Sequence, residues 1–303
     1  ISVTAVLTAE VPAGPGSGGN GGQPQGQPTR PGMPVGDGKD TPPLLPGVAA
    51  IIAVASGKGG VGKSTTAVNL ALGLAAGGRR VGILDADIYG PSVQLMTGIQ
   101  QQPEITSDSR LLPVEAHGMS MMSMGFLADE NTPVVWRGPL LAQAVQQFLA
   151  QVEWGELDFL FLDLPPGTGD IPLTLSQAIA LSGVVIVTTP QEVALEDVER
   201  GIAMFEKVDV DVLGLVENMS YYLCPHCSER HEIFGHGGGR AFAERLGIEC
   251  LGELPMDADI RRGGDEGTPI AIAAPQSSHA QAFADLASRI LTITAELAQP
   301  GPG

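Results

Sequence analysis

Short, almost continuous apolar runs alternate with amphipathic segments from Val48 to the end of the chain. Apolar runs of this kind are typical of strands buried on both faces, which occur in parallel sheets covered by helices. The runs predict strands at 49–56, 80–86, 158–164, 183–189, 211–218 and 249–254. The segments between and after them predict helices at 63–76, 138–151, 171–180, 192–206, 239–246 and 278–297. Strand and helix alternate, so the pattern indicates an α/β fold, a doubly wound and mostly parallel sheet flanked by helices.

The N-terminal part has a different composition. Residues 1–11 begin with an alternating pattern that predicts one strand without a local partner. Residues 12–47 are rich in glycine and proline, which predicts a flexible linker because such a segment buries too little apolar surface to offset its chain entropy. We therefore expect the folded domain at 48–297 and a disordered tail at 298–303.

The amino-acid composition limits the classes of partner that this protein can bind. Sixteen Lys and Arg residues oppose thirty-four Asp and Glu residues, for a net charge of −18, which argues against binding to nucleic acid or to anionic membranes. The chain also lacks an apolar run of the length that a membrane span needs. Three cysteines are too few for a disulfide scaffold, and we expect a cytoplasmic protein.

A glycine-rich loop carries the clearest chemistry. Residues 57–64, GKGGVGKS, match the phosphate-binding motif G-x-x-x-x-G-K-[ST] and lie between a predicted strand and a predicted helix. Backbone N–H groups of such a loop surround the phosphates, the Lys63 ammonium contacts the β and γ oxygens, and the Ser64 hydroxyl binds Mg²⁺. We predict a nucleotide site built from Gly57, Lys58, Gly59, Gly60, Val61, Gly62, Lys63, Ser64 and Thr65.

Acidic residues follow two predicted strands, at the edge of the sheet where ligands bind. Asp85 and Asp87 end strand 80–86, and Asp163 ends the apolar run FLFL. Ser64, Asp85 and Asp163 are the predicted Mg²⁺ ligands, directly or through water. Asp87 is predicted to orient the attacking water, so the predicted catalytic set is Lys58, Lys63, Asp87 and Asp163. As an alternative, Asp85 and Asp163 are helix caps.

Lys58 is a second lysine at the start of the loop, and the chain contains only four lysines. This version of the motif resembles the deviant Walker A class, which includes MinD, ParA, ArsA and the nitrogenase iron protein. The resemblance implies a homodimer in which Lys58 reaches the partner's nucleotide. It also implies adenine contacts from Asn218 and from the loop that contains Pro255. The guanine motif N/T-K-x-D is absent from the sequence, which favours ATP.

Cys224 and Cys227 form a C-x-x-C pair shortly after strand 211–218. Two thiolates cannot complete a four-ligand site. Either His231 and His236 complete a zinc knuckle within one chain, or a second copy supplies two more cysteines and the four thiolates hold a [4Fe–4S] cluster.

Seven sequence blocks identify a family by resemblance, in order SGKGGVGKST, LDADIYGPS, PVVWRGP, DLPPGTGD, ENMSYYLCPHC, IFGHGGG and GELPMDADIRRGGDEG. Together they resemble the Mrp/ApbC family of iron–sulfur cluster carrier ATPases over about residues 46–285. The resemblance implies a slow ATPase that holds a [4Fe–4S] cluster on Cys224 and Cys227 of two subunits and transfers it to apo-proteins. It further implies that residues 1–11 are the last strand of an accessory domain.

An alternative function is a nucleotide switch like MinD or ParA with a structural zinc knuckle. MinD-like proteins use a basic amphipathic C-terminal helix, whereas residues 287–298 carry one Arg and one Glu. ParA-like proteins need a basic face for DNA, which the net charge of −18 opposes.

Overall fold

The computed structural model describes residues 45–126, 138–235 and 237–297. The predicted N-terminal strand, most of the predicted linker, the predicted tail and His236 lie outside these ranges. Leu45 is buried in the core, and the carbonyl of Gly47 accepts a hydrogen bond from the Leu157 N–H. The described domain therefore includes three residues that the sequence assigned to the linker.

A mixed, mostly parallel sheet forms the centre of the domain. Its order is β3-β4-β2-β5-β1-β6-β7-β8, and β9 also pairs with β7. Only the β3–β4 and β7–β8 pairs are antiparallel among the described strands. The strands are β1 (Val48–Ala55), β2 (Val81–Asp85), β3 (Val114–Ala116), β4 (Met119–Ser123), β5 (Leu157–Asp163), β6 (Gly183–Thr188), β7 (Val212–Leu223), β8 (Arg230–His231) and β9 (Cys250–Pro255).

Helices cover both faces of this sheet. In one group, α8 and α9 pack against α1. In the other group, α3 packs against α4, α4 against α5 and α5 against α6. The helices are α1 (Lys63–Ala76), α2 (Val93–Thr97), α3 (Gly138–Gln151), α4 (Asp170–Ala178), α5 (Glu192–Glu206), α6 (Gly238–Leu246), α7 (Ala258–Asp265), α8 (Ile270–Ala273) and α9 (Ser278–Leu297). A 3₁₀ turn occupies Met124–Phe126.

The fold class predicted from the apolar runs is confirmed. β1, β5 and β6 are adjacent and parallel, and their central residues are buried on both faces, as continuous apolar runs require. The chain leaves β1 towards β2 on one side of the sheet and later crosses to β6 on the other side. Ligands of doubly wound sheets bind where the strand order reverses in this way.

One predicted element is considerably longer in the structure. β7 continues five residues beyond the predicted end at 218, because its second half pairs with β9 and β8 instead of β6. The polar residues Glu217, Asn218 and Ser220 interrupt the apolar pattern there and yet are buried. None of the helices in the described ranges is both long and apolar enough to cross a lipid bilayer.

Candidate nucleotide and thiol sites

The phosphate loop joins the end of β1 to the start of α1. Gly60 and Gly62 have φ values of 82° and 84°, in the left-handed region that favours glycine. A Cβ at Gly62 would lie 2.1 Å from Nδ2 of Asn218, so this position also requires glycine for space. The sequence therefore folds into a loop whose backbone N–H groups are free to turn towards a phosphate.

Lys63 is buried at the base of the loop. Its ammonium pairs with Oδ1 of the fully buried Asp163 and lies 3.3 Å from the Ser64 hydroxyl oxygen. Burial raises the pKa of Asp163, and the Lys63 ammonium opposes that rise. The structure thus brings together three residues that the sequence predicted for phosphate and Mg²⁺ binding.

Asp85 and Asp163 are register partners at the ends of the adjacent strands β2 and β5. Burial, and next the charge of Asp163, raise the pKa of Asp85 to about 7. Oδ2 of Asp163 is buried without a hydrogen-bond partner among the described residues. The single Lys63 ammonium cannot compensate the negative charge of both buried carboxylates. Carboxylate and hydroxyl oxygens are ligands that Mg²⁺ prefers. The donor set of Ser64, Asp85 and Asp163 therefore fits a divalent cation.

Asp85 also organises the loop that follows β2. Its Oδ2 accepts hydrogen bonds from the N–H groups of Ser92 and Val93, at 2.7 and 3.0 Å, and its Oδ1 accepts one from Asp87 at 3.1 Å. The start of α2 is thus held by Asp85, as the helix-cap alternative expects. These bonds occupy its oxygens, which favours a contact to Mg²⁺ through water.

A cavity of about 230 Å³ opens above the loop. Among the predicted site residues, its lining includes Lys58, Gly59, Gly60, Gly62, Lys63, Ser64, Thr65 and Asp87. Gly57 packs instead against Asp197 of α5, where a Cβ would approach backbone atoms within 2.7 Å. Asp87 accepts hydrogen bonds from the N–H groups of Tyr89 and Gly90, which holds its carboxylate at the cavity wall.

The two predicted adenine residues lie beside each other on β7 and β9. The Asn218 amide is buried and donates a hydrogen bond to the Val61 carbonyl at 2.8 Å, so it holds the phosphate loop. Pro255 pairs with Tyr221, and the next N–H, from Met256, donates to the Tyr221 carbonyl at 2.7 Å. The contact of Asn218 with the loop was not predicted, and the adenine contacts of both residues remain predictions.

Cys224 and Cys227 lie in the turn between β7 and β8. The Cys224 N–H donates to the Glu229 carbonyl at 2.9 Å, and the Ser228 N–H donates to the Cys224 carbonyl at 2.8 Å. Cys224 is half-exposed and Cys227 is exposed. Hydrogen bonds from the backbone of Cys227 and His226 lower the pKa of the Cys224 thiol, which favours the thiolate needed for metal binding.

Arg230 anchors this hairpin and was missed by the sequence interpretation. Its guanidinium lies 4.1 Å from the centre of the Tyr221 ring and 3.0 Å from Oε2 of Glu253 in β9. Arg240 of α6 reaches Oε1 of the same glutamate at 3.5 Å. Glu253 is 23 residues from Arg230, so no local sequence pattern could indicate the pair.

The described residues do not assemble a zinc knuckle. They contain no group of three or more His, Cys, Asp or Glu side chains arranged to hold a metal ion. The His231 ring packs against the Tyr222 ring, with centroids 6.5 Å apart, and faces the Glu229 carboxylate at 4.0 Å. Cys250, on β9, is half-exposed, and burial raises the pKa of its thiol, as expected for a cysteine outside the site.

Curated relatives match most of this domain. An Arabidopsis thaliana protein named "Iron-sulfur protein required for NADH dehydrogenase, mitochondrial" is 51% identical over 261 residues, covering 86% of this chain and 83% of the relative. The iron-sulfur cluster carrier protein of Pseudomonas fragi is 53% identical over 247 residues, covering 81% and 86%. The carrier protein of Escherichia coli K12 is 50% identical over 249 residues, covering 82% and 68%.

Solved structures and a family model agree with these relatives. A nucleotide-binding protein from Archaeoglobus fulgidus in complex with ADP has 43% identity and a TM-score of 0.67, covering 74% of this chain and 89% of its own. MinD of Pyrococcus furiosus has 22% identity and a TM-score of 0.62, covering 80% and 99%, and supports the fold alone. The model of the NUBPL iron-transfer P-loop NTPases matches residues 47–291. The chain therefore belongs to the NUBPL iron-transfer family of P-loop NTPases.

Proposed function

We propose that this protein is an iron–sulfur cluster carrier that binds its cargo at Cys224 and Cys227 and transfers it to apo-proteins. The observation that carries the proposal is an accessible thiol pair on a short, anchored hairpin, in a chain about 50% identical to named carrier proteins. Exposure suits a cargo that must leave, because a recipient's thiolates need access to the cluster. The alternative of a MinD-like or ParA-like switch with a structural zinc knuckle is not favoured, because the relatives that match this chain at about 50% identity are named iron-sulfur cluster carrier proteins.

The nucleotide of this carrier is ATP, hydrolysed slowly. Lys63 neutralises the β and γ phosphate oxygens, and the loop N–H groups hold them in line with the attacking water. Asp87 faces the cavity and orients that water, while Ser64, Asp85 and Asp163 hold Mg²⁺. When bound, Mg²⁺ supplies positive charge to the phosphates and to this carboxylate pair. Burial raises the pKa of both Asp85 and Asp163, which supports the cation site because a positive charge beside them favours their ionised forms.

The carrier acts as a homodimer. Cys224 and Cys227 provide two thiolates, and a [4Fe–4S] cluster takes four, so a second copy across a two-fold axis completes the site. Lys58 lines the cavity, is half-buried and forms no ion pair with a carboxylate of the described residues. It is therefore available to the nucleotide of the second subunit.

The recipients are apo iron–sulfur proteins, and neither nucleic acid nor membrane takes part. The net charge of −18 supports both exclusions. We place the carrier in the cytoplasm, where a reducing environment keeps exposed thiols such as Cys227 free.

Anaerobic reconstitution with iron and sulfide tests the carrier function. About four irons and four sulfides per dimer are expected, and the Cys224→Ala/Cys227→Ala variant should lose both. Cys250→Ala is the matched control, because it removes a thiol on the neighbouring strand outside the hairpin and should load normally. About one zinc per monomer without stable iron would contradict the proposal and restore the knuckle alternative.

A further inference from the structure

A groove of about 660 Å³ lies between α5 and α6, and none of the residues that line the nucleotide cavity lines it. From α5 it is lined at every third or fourth position, by Glu192, Leu195, Glu196 and Glu199. From α6 it is lined by Phe242 and Arg245, which are also one turn apart. Seven residues of helix span about 10 Å, so the groove accommodates about two turns of another helix.

The floor of the groove is apolar. Leu195 and Phe242 are buried beneath it, Arg245 lies over the Phe242 ring at 5.1 Å from its centre, and the half-buried Phe234 completes the apolar lining. Ile233, which immediately precedes the lining residue Phe234, is 56% exposed. Exposed aliphatic side chains beside an apolar groove are typical of a protein-docking surface.

The rim of the groove is acidic and incompletely compensated. Arg245 pairs with Glu199 at 3.1 Å, whereas Glu192 and Glu196 have no ion pair with described residues. Arg200 lies one turn after Glu196 but pairs instead with Asp197, at 3.2 Å. Glu192 and Glu196 are one turn apart on α5 and repel each other, so this pair does not stabilise the helix.

The groove is next to the thiol hairpin along the chain. Ile233 and Phe234 follow β8 directly, and the β8 residue Arg230 pairs with Leu223, the residue before Cys224. A partner seated in the groove therefore contacts the segment that continues from the cargo site.

We propose that the α5–α6 groove docks a cationic amphipathic helix of the protein that receives the cluster, which rests on the proposed carrier function. Leucine-like side chains of that helix contact Phe234 and Ile233, and its lysines or arginines meet Glu192 and Glu196. A second copy of this chain is disfavoured as occupant of this groove, because it would bring the same acidic rim against Glu192 and Glu196. Nucleic acid and anionic lipid are disfavoured by the same charges.

The direct test is the binding of a fluorescein-labelled, 18-residue helical peptide with leucines on one face and lysines beside them. Fluorescence anisotropy with the full-length protein should give a micromolar Kd. The Glu192→Lys/Glu196→Lys variant should weaken binding at least tenfold, and Ile233→Ser should weaken it several-fold. The matched control is Glu266→Lys/Glu296→Lys, which makes the same charge change at exposed positions outside the groove and should bind within twofold of the parent.

Two further measurements separate the possible outcomes. The peptide should slow cluster transfer to an apo-ferredoxin but leave cluster loss to EDTA unchanged. Absence of peptide binding, equal binding to the groove variant, or a changed monomer–dimer equilibrium of that variant in sedimentation would each overturn the docking proposal. Iron and sulfide loading measured in parallel tests the carrier function by itself, because the groove variant retains Cys224 and Cys227 and should load normally.

Discussion

Gly62 is constrained both by its left-handed backbone conformation and by the lack of space for a Cβ. Alanine substitutions at Gly59, Gly60 and Gly62 of the phosphate loop allow these two constraints to be measured separately. At Gly62 an alanine would be strained by φ of 84° and would place its Cβ 2.1 Å from Asn218 Nδ2. At Gly60 the φ of 82° imposes the same strain, but nothing lies within 4 Å of the added Cβ. At Gly59 neither constraint applies, so Gly59→Ala reports the general effect of replacing glycine in this loop.

The expected losses in the free energy of unfolding follow from these contacts. A left-handed alanine costs about 1–2 kcal/mol, which applies to both Gly60→Ala and Gly62→Ala. Gly62→Ala also displaces the Asn218 amide from the Val61 carbonyl, and leaving such a buried polar group unpaired costs about 1–3 kcal/mol more. We therefore expect Gly59→Ala to be neutral or slightly stabilising, Gly60→Ala to lose about 1 kcal/mol and Gly62→Ala to lose about 2–4 kcal/mol.

Urea unfolding of the nucleotide-free protein, followed by circular dichroism, measures these differences. The decisive comparison repeats Gly62→Ala in an Asn218→Ala background, where the clashing amide is gone. There the loss should fall to that of Gly60→Ala, a coupling of about 1–3 kcal/mol between positions 62 and 218. Equal losses for Gly60→Ala and Gly62→Ala in the parent protein, or an unchanged loss in the Asn218→Ala background, would refute the reasoning.

Three other predictions concern charge and the hairpin. The pKa of Asp85 is raised from 3.8 to about 7, so its contribution to stability is complete below about pH 4 and is lost as the pH rises through 7. The Tm of the nucleotide-free protein should therefore fall from pH 5 to pH 8, and the Asp85→Asn variant should show a flatter dependence of Tm on pH. An unchanged dependence in that variant would contradict the assignment. Arg230→Ala removes the contacts of the hairpin with Tyr221 and Glu253. Hydrogen exchange at the Cys224 amide should therefore accelerate about tenfold without a matching loss of global stability. Unchanged exchange would mean that the hairpin is held by its backbone alone. Lys63→Ala should abolish ATP hydrolysis in a phosphate-release assay while iron and sulfide loading continues; loss of loading in a folded variant would mean that ATP binding is needed for assembly.

The fold was predictable wherever one residue class dominates a segment. The central strands are continuous apolar runs because both of their faces are covered, and α5 shows a clear amphipathic period at 192–206. The short helices α2, α7 and α8 have at most eight residues, too few for a period to be recognised. β3 and β8 have three and two residues and exist only through pairing with a neighbour.

The end of β7 shows why the rest could not be predicted. Glu217 is a buried carboxylate that accepts hydrogen bonds from the Ser220 hydroxyl and from the Gly239 N–H at the start of α6. Asn218 is held by Val61, which is 157 residues away in sequence. In a sequence pattern, polar residues after an apolar run predict the end of the strand. The burial of Glu217 and Asn218 is favourable only because of these hydrogen-bond partners, most of which are distant in sequence. The phosphate loop was predictable because its motif lies within eight consecutive residues, whereas its partners Asp163 and Asn218 lie far away in sequence.

β7 connects the two sites that the sequence presented as separate motifs. Asn218 supports the phosphate loop and Cys224 begins the thiol turn, six residues later along the same extended strand, or about 20 Å. Between them Met219 has φ of 55°, and the pairing with β9 shifts register, so the strand bends where it leaves the nucleotide side. β7 is therefore a single element that contacts the phosphate loop through Asn218 and forms the base of the thiol turn, and the bend at Met219 lies between these two contacts.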